Sequence, residues 1–231
     1  MTALATLLEW AQQTTTRVCS ELRIAQLVWA NFEAIYGIEG APRDQFAERV
    51  YSLGLGNTLH SLRIALVRDT LMSLFRVTDP PNTDRLTFCR LSRLLGDEAL
   101  RENRKEAARN WIASSYPELR EKDALTCASS MQAITDAVPP LWNKSAPPVD
   151  SRLFDLRTKL GPLRKGSLAH ALDKSDGNVA IGEIRSFIKV TSELAQHAEL
   201  VFTEAAPSWD LGWRIRLKEA NEFWDCCQKG L

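Results

Sequence analysis

The chain has 231 residues, and at the roughly 150 residues of a typical domain that is one domain or two small ones, long enough to bury a core. Apolar residues at 45% and charged residues at 25% are ordinary for a globular protein, and they exclude a collagen-like or wholly disordered chain. Twenty-nine Lys plus Arg balance 29 Asp plus Glu, so no global field draws the molecule to nucleic acid or an anionic membrane, and any such contact needs a local patch.

Leu4, Leu8, Ala11, Thr15, Val18, Leu22, Ala25, Trp29, Phe32 and Tyr36 recur in steps of four and three, which predicts a helix from Ala3 to Tyr36 ended by Gly37 and Gly40. Such a helix, about 50 Å long, suits the edge of a bundle or a dimer seam, with Thr14, Thr15 and Thr16 as its weak point. A second helix is expected from a cap at Asn57 through to Thr78, stopped by Asp79, Pro80 and Pro81. Its apolar arc is wide, so it reads as the most enclosed helix, and Arg63, Arg68, Asp69 and Arg76 within that arc must find partners.

Shorter helices follow at about Thr87 to Leu95, Asp97 to Ser114 and Glu118 to Ala137, each opened by a capping residue or Pro117. Pro139-Pro140 and Pro147-Pro148 bracket the best linker candidate. Helical pattern resumes with Leu153, Leu156, Leu160 and Leu163, where Gly161-Pro162 predicts a kink or a restart with Pro162 in a first turn. Two strongly periodic helices close the chain, one carrying Ile184 to Phe202 and one, rich in tryptophan, spanning 209 to 228. No run alternates with period two, so the fold class is all-α, a bundle of about six to eight helices in a single domain over 1 to 231.

Several functions are excluded by spacing. Gly54-x-Gly56 lacks the rest of a dinucleotide fingerprint, and no phosphate loop or Gly-x-Ser-x-Gly elbow occurs, so no nucleotide cofactor is expected. The polar stretch from Asp173 to Glu183 puts Leu172 and Lys174 where a calcium loop needs carboxylates, and His197 lacks the second histidine of a zincin, so no metal is expected. The five cysteines fit neither zinc spacing nor a disulfide framework, and they read as reduced, mostly buried thiols. No stretch approaches the roughly 18 apolar residues of a membrane span and no basic-then-apolar leader opens the chain, which predicts a cytoplasmic protein without membrane contact.

His170 has the most informative surroundings of the three histidines. Residues 152 to 174 carry six basic side chains against Asp155 and Asp173, in a molecule whose total charge is zero. An imidazole that titrates near neutrality suits a general base, and the always-charged guanidinium of Arg164 suits a phosphate whose charge rises in the transition state. Together they can cleave RNA by taking the 2′-hydroxyl proton and steadying the pentacoordinate phosphorus. At about 100° per residue their six-residue spacing sets them some 120° apart on a helix, so Arg164 swings round or a second subunit completes the site. The structural alternative is an Arg164 paired with a carboxylate and a His170 packed between helices.

An Arg followed within a few residues by His in an all-α chain resembles the HEPN superfamily of prokaryotic ribonucleases and toxins, and the layout is similar to its abortive-infection U-type branch. The matching elements are Leu62-Arg63, Arg68-Asp69 and Val77-Thr78-Asp79, then Leu156-Arg157 through Ala169-His170, within a core of about 55 to 204. The resemblance implies metal-independent endoribonuclease activity in phage defence or a toxin system, a homodimer that shares one cleft, an RNA substrate and an inhibitory or antitoxin protein partner. It carries catalysis to Arg164 and His170, and Lys165, Ser167 and Arg157 lie with them as substrate-binding candidates. The family prefers a polar Asn, Asp or His directly after the arginine, where this chain has Lys165. The alternative is a non-catalytic helical interaction module whose first and last helices bind a partner, and a DNA-binding regulator ranks below both because no helix has a dense basic face.

Overall fold

In a computed structural model the described residues are 3–37, 44–79, 85–111, 120–138, 152–165, 177–204 and 208–230, and among them the chain forms nine helices and no strand. The all-α class expected from the missing period-two pattern is therefore what the chain adopts. Helix α1 spans Ala3–Tyr36, the bounds its stripe predicts. Gly37 stops it by taking the left-handed region at φ 67°, a conformation that is cheap only for glycine, and its N–H bonds Glu33 O at 2.8 Å. The threonines do not break α1, because the Thr14 hydroxyl donates to Trp10 O inside the same helix.

Helix α2 (Asp44–Ser52) was not expected from the sequence, since nine mostly polar residues give too few turns for a periodic signal. Gly54 (φ 73°) turns the chain into α3 (Gly56–Thr78), and the Tyr51 ring lies where a Cβ on Gly56 would be. The helix starts before Asn57, which is therefore inside it and not its cap. Nor is α3 the most enclosed helix. Arg68 and Asp69 are exposed and face each other, whereas α1 from Trp29 to Tyr36 is buried at every position except Asn31.

Helices α4 (Phe88–Leu94) and α5 (Glu98–Asn110) begin at the expected caps: Thr87 Oγ1 accepts from Arg90 N, and Asp97 Oδ1 accepts from Leu100 N at 2.9 Å. Next come α6 (Arg120–Ala137), α7 (Arg152–Lys165), α8 (Gly177–Thr203) and α9 (Trp209–Gly230). Pro162 lies within α7, so the helix does not restart there. No helix among the described residues is long and apolar enough to cross a membrane.

The chain divides into two compact units, and α1, α3, α7 and α8 each contribute to both. Unit 1 comprises Met1–Leu22, Phe75–Asp155 and Lys189–Ser208. Here α6 packs on α5 and α4, and three buried thiols act as weak donors to backbone carbonyls elsewhere: Cys19 to Ala195 O, Cys89 to Thr78 O and Cys127 to Arg104 O. Burial pushes the Cys127 thiol up to about 11, so it is inert at neutral pH. Unit 2 comprises Arg23–Leu74, Leu156–Ile188 and Trp209–Leu231. Its α1 segment stacks Trp29 on Phe32, with ring centroids 4.5 Å apart, and sets the small side chains of Ala30 and Ala34 against Ala220 of α9, where Trp213, Leu217 and Trp224 close over them. Trp209 is buried beneath the Arg23 guanidinium, so the tryptophans of α9 serve packing.

Candidate functional site

The basic segment is carried by α7. Leu153 and Leu160 are fully buried and fix one face of the helix, while Leu156 and Leu163 are half-buried beside them. Arg157 is half-buried. Arg164 stands seven positions later, at the same register of the helix, and Lys165 is the last residue of α7. The side chains of Arg164 and Lys165 lie outside the described residues, as do Ser167 and His170 altogether.

The helices that precede and follow His170 in the sequence share one ion pair. Lys159 Nζ of α7 pairs with Glu183 Oε1 of α8 at 3.1 Å. Lys159 is six residues before the end of α7 and Glu183 six after the start of α8, so each helix end stands about 9 Å along its axis from that pair. The residues 166 to 176, with Ser167 and His170, join those two ends. The first turn of α8 contains no acidic residue, and Asp176 directly precedes it in the sequence. Lys159 is exposed while Glu183 is three-quarters buried, so the pair positions the two helices more than it stabilises them.

His197 of α8, in unit 1, has a polar partner in α6. Its Nδ1 lies 3.0 Å from Ser130 Oγ of α6. Desolvation holds the imidazole below its ordinary value, so it is neutral at pH 7, and the charge of Glu193 one turn earlier opposes that only partly. Serine, histidine and glutamate in this order invite comparison with a nucleophilic triad. Ser130 is only 2% exposed, however, which closes its hydroxyl to a substrate, and the bond serves to register α6 against α8. The sequence hides the pair because Ser130 follows Cys127 and precedes Ile134 on an otherwise apolar face.

The arginines of α3 also resolve into structural roles. Arg76 bonds Glu21 of α1, and Arg63 lies 6.0 Å over the Tyr36 ring. Asp79, buried at the end of α3, is held by Arg85 Nη1 at 2.8 Å. The Tyr36 hydroxyl donates to Leu59 O, and burial raises its phenol well above the usual range. Among the described residues no group of three His, Cys, Asp or Glu side chains could hold a metal ion. No family model, no curated protein and no solved structure matches the chain.

Proposed function

We propose that the chain is a HEPN-type, metal-independent endoribonuclease acting in phage defence or a toxin system. His170 is the general base, and Arg164 stabilises the scissile phosphate. Arg157, Lys165 and Ser167 hold the RNA backbone. One observation supports the reading: the Lys159–Glu183 pair brings α7, which ends in Arg164 and Lys165, into contact with α8, and His170 lies in the sequence between the two helices. Two basic side chains and a titratable imidazole within seven residues of sequence favour a phosphodiester over a neutral ligand.

The chemistry needs only those groups. His170 takes the proton of a ribose 2′-hydroxyl, the 2′-oxygen bonds to phosphorus, and the bond to the 5′-oxygen breaks. Arg164 neutralises the charge that gathers on the non-bridging oxygens. The departing 5′-oxygen takes its proton from water or from the second copy of a homodimer. The products are a 2′,3′-cyclic phosphate and a 5′-hydroxyl. An antitoxin partner that covers the segment would hold the activity in check.

Purified protein is expected to cleave RNA in EDTA, leaving cyclic-phosphate ends. His170→Ala should abolish cleavage without moving the melting temperature. Equal cleavage by His170→Ala overturns the assignment. No cleavage by the parent chain points to the second reading, a protein-binding module, which the exposed Leu211, Ile215 and Phe223 of α9 favour.

A further inference from the structure

In unit 1 a buried cation is only half satisfied. Arg104 projects from the face of α5 that also carries Leu100 and Ala108, both fully buried, and only 7% of its side chain is exposed. Its Nη2 donates to Glu204 Oε1 at 2.9 Å, but its Nε, buried too, has no hydrogen-bond partner. Nε and Nη2 form the edge of the guanidinium that matches two oxygens of one anion, so Glu204 occupies half of a two-pronged fork. Seven residues on, at the C-cap of α5, Trp111 Nε1 is also buried without a partner. Among the described residues, two buried donors of this stretch thus have no acceptor. An unpaired buried N–H group carries the full cost of its lost hydration, and native proteins keep few of them.

Glu204 is a poor permanent partner. Its side chain is half exposed, and its backbone holds φ 57°, the left-handed region that a non-glycine residue enters only at a cost. A carboxylate tethered to its own chain nevertheless acts at a high effective concentration, so a free monocarboxylate would not displace it. A dianionic phosphate group brings greater charge and three equivalent oxygens, enough to use both prongs at once. We infer that the Arg104 fork anchors a binding site for a phosphate-bearing small molecule, with Glu204 as the plug that leaves when the phosphate enters. This site lies in the unit that does not contain Arg164 and His170, and it stands or falls independently of the ribonuclease reading.

The test follows the indole N–H signals of the full chain by heteronuclear NMR during titration with inorganic phosphate, with acetate at matched ionic strength as the second arm. The Trp111 signal is identified by its loss in Trp111→Phe. It should shift saturably with phosphate and not with acetate. Glu204→Gln, which removes the competing charge, should tighten phosphate about tenfold. Arg104→Lys keeps the charge but not the fork, and it should lose saturation. A shift that is linear in phosphate and equal in the parent and Glu204→Gln chains means general screening only and overturns the proposal. So does a saturable response to acetate of equal strength. If Arg104→Lys does not fold, the Glu204→Gln arm decides alone.

Discussion

The two units each hold a buried ion, and these two ions, Glu33 and Arg104, differ in how fully they are bonded. In unit 2 the buried carboxylate of Glu33 accepts from Trp29 Nε1 at 2.9 Å and from Nε and Nη2 of Arg185 across to α8. Around it Gln26 accepts from Arg216 and Asn31 from Trp224, so each of these polar side chains of α1 is matched by a donor. In unit 1, where the carboxylates of Glu21 and Asp79 are buried and paired, the buried cation Arg104 has a half-exposed bonded partner and one unpaired N–H group. A satisfied buried ion fixes the register of the helices it joins. A half-satisfied one stores free energy that a ligand can release.

The sharpest way to break this contrast is Glu33→Ala. It strips the acceptor from the Trp29 indole and the Arg185 fork together, and unfolding in urea should show a loss of about 2–4 kcal/mol, nearer the lower figure because Arg185 can reach water. A loss below about 0.5 kcal/mol would mean that Glu33 does not organise unit 2. A smaller effect is expected from His197. Its folded form favours the neutral ring, so its contribution is complete above its unfolded value near 6.5 and is lost as pH falls through the lower folded value. Thermal melts from pH 7.5 to 5 should fall more steeply for the parent chain than for His197→Gln; parallel curves would remove the buried imidazole as the cause. The smallest change belongs to Arg68→Ala. Arg68 and Asp69 are both exposed, and stability should stay within about 0.5 kcal/mol in the same urea experiment.

The fold was legible in the sequence wherever period and punctuation agreed. The stripe from Leu4 to Tyr36 with Gly37 after it gave α1 to the residue, and Thr87 and Asp97 marked real caps. Enclosure was not legible. The wide apolar arc of α3 suggested a buried helix, but burial depends on which neighbours arrive, and Arg68 and Asp69 turn outward. Of the candidate site, the sequence supplied Arg164 and His170 as chemistry. It could not supply the Lys159–Glu183 tie, because those residues are 24 apart and neither belongs to a recognisable motif. Nor could it reveal the Arg104–Glu204 fork, whose partners are 100 residues apart.

The long reach of the contacts made by α1 has a consequence for biosynthesis. Glu33 waits 152 residues for Arg185, and Gln26 waits 190 for Arg216. At roughly 5–20 residues per second, a ribosome leaves the Glu33 carboxylate unmatched for about 8 to 30 s. Throughout that interval Ala30 and Ala34, buried in the finished fold, lack Ala220 and the tryptophans of α9 that close over them. Helix α1 is thus made well before the helices that enclose it, and its small-residue face stays open until α9 has emerged.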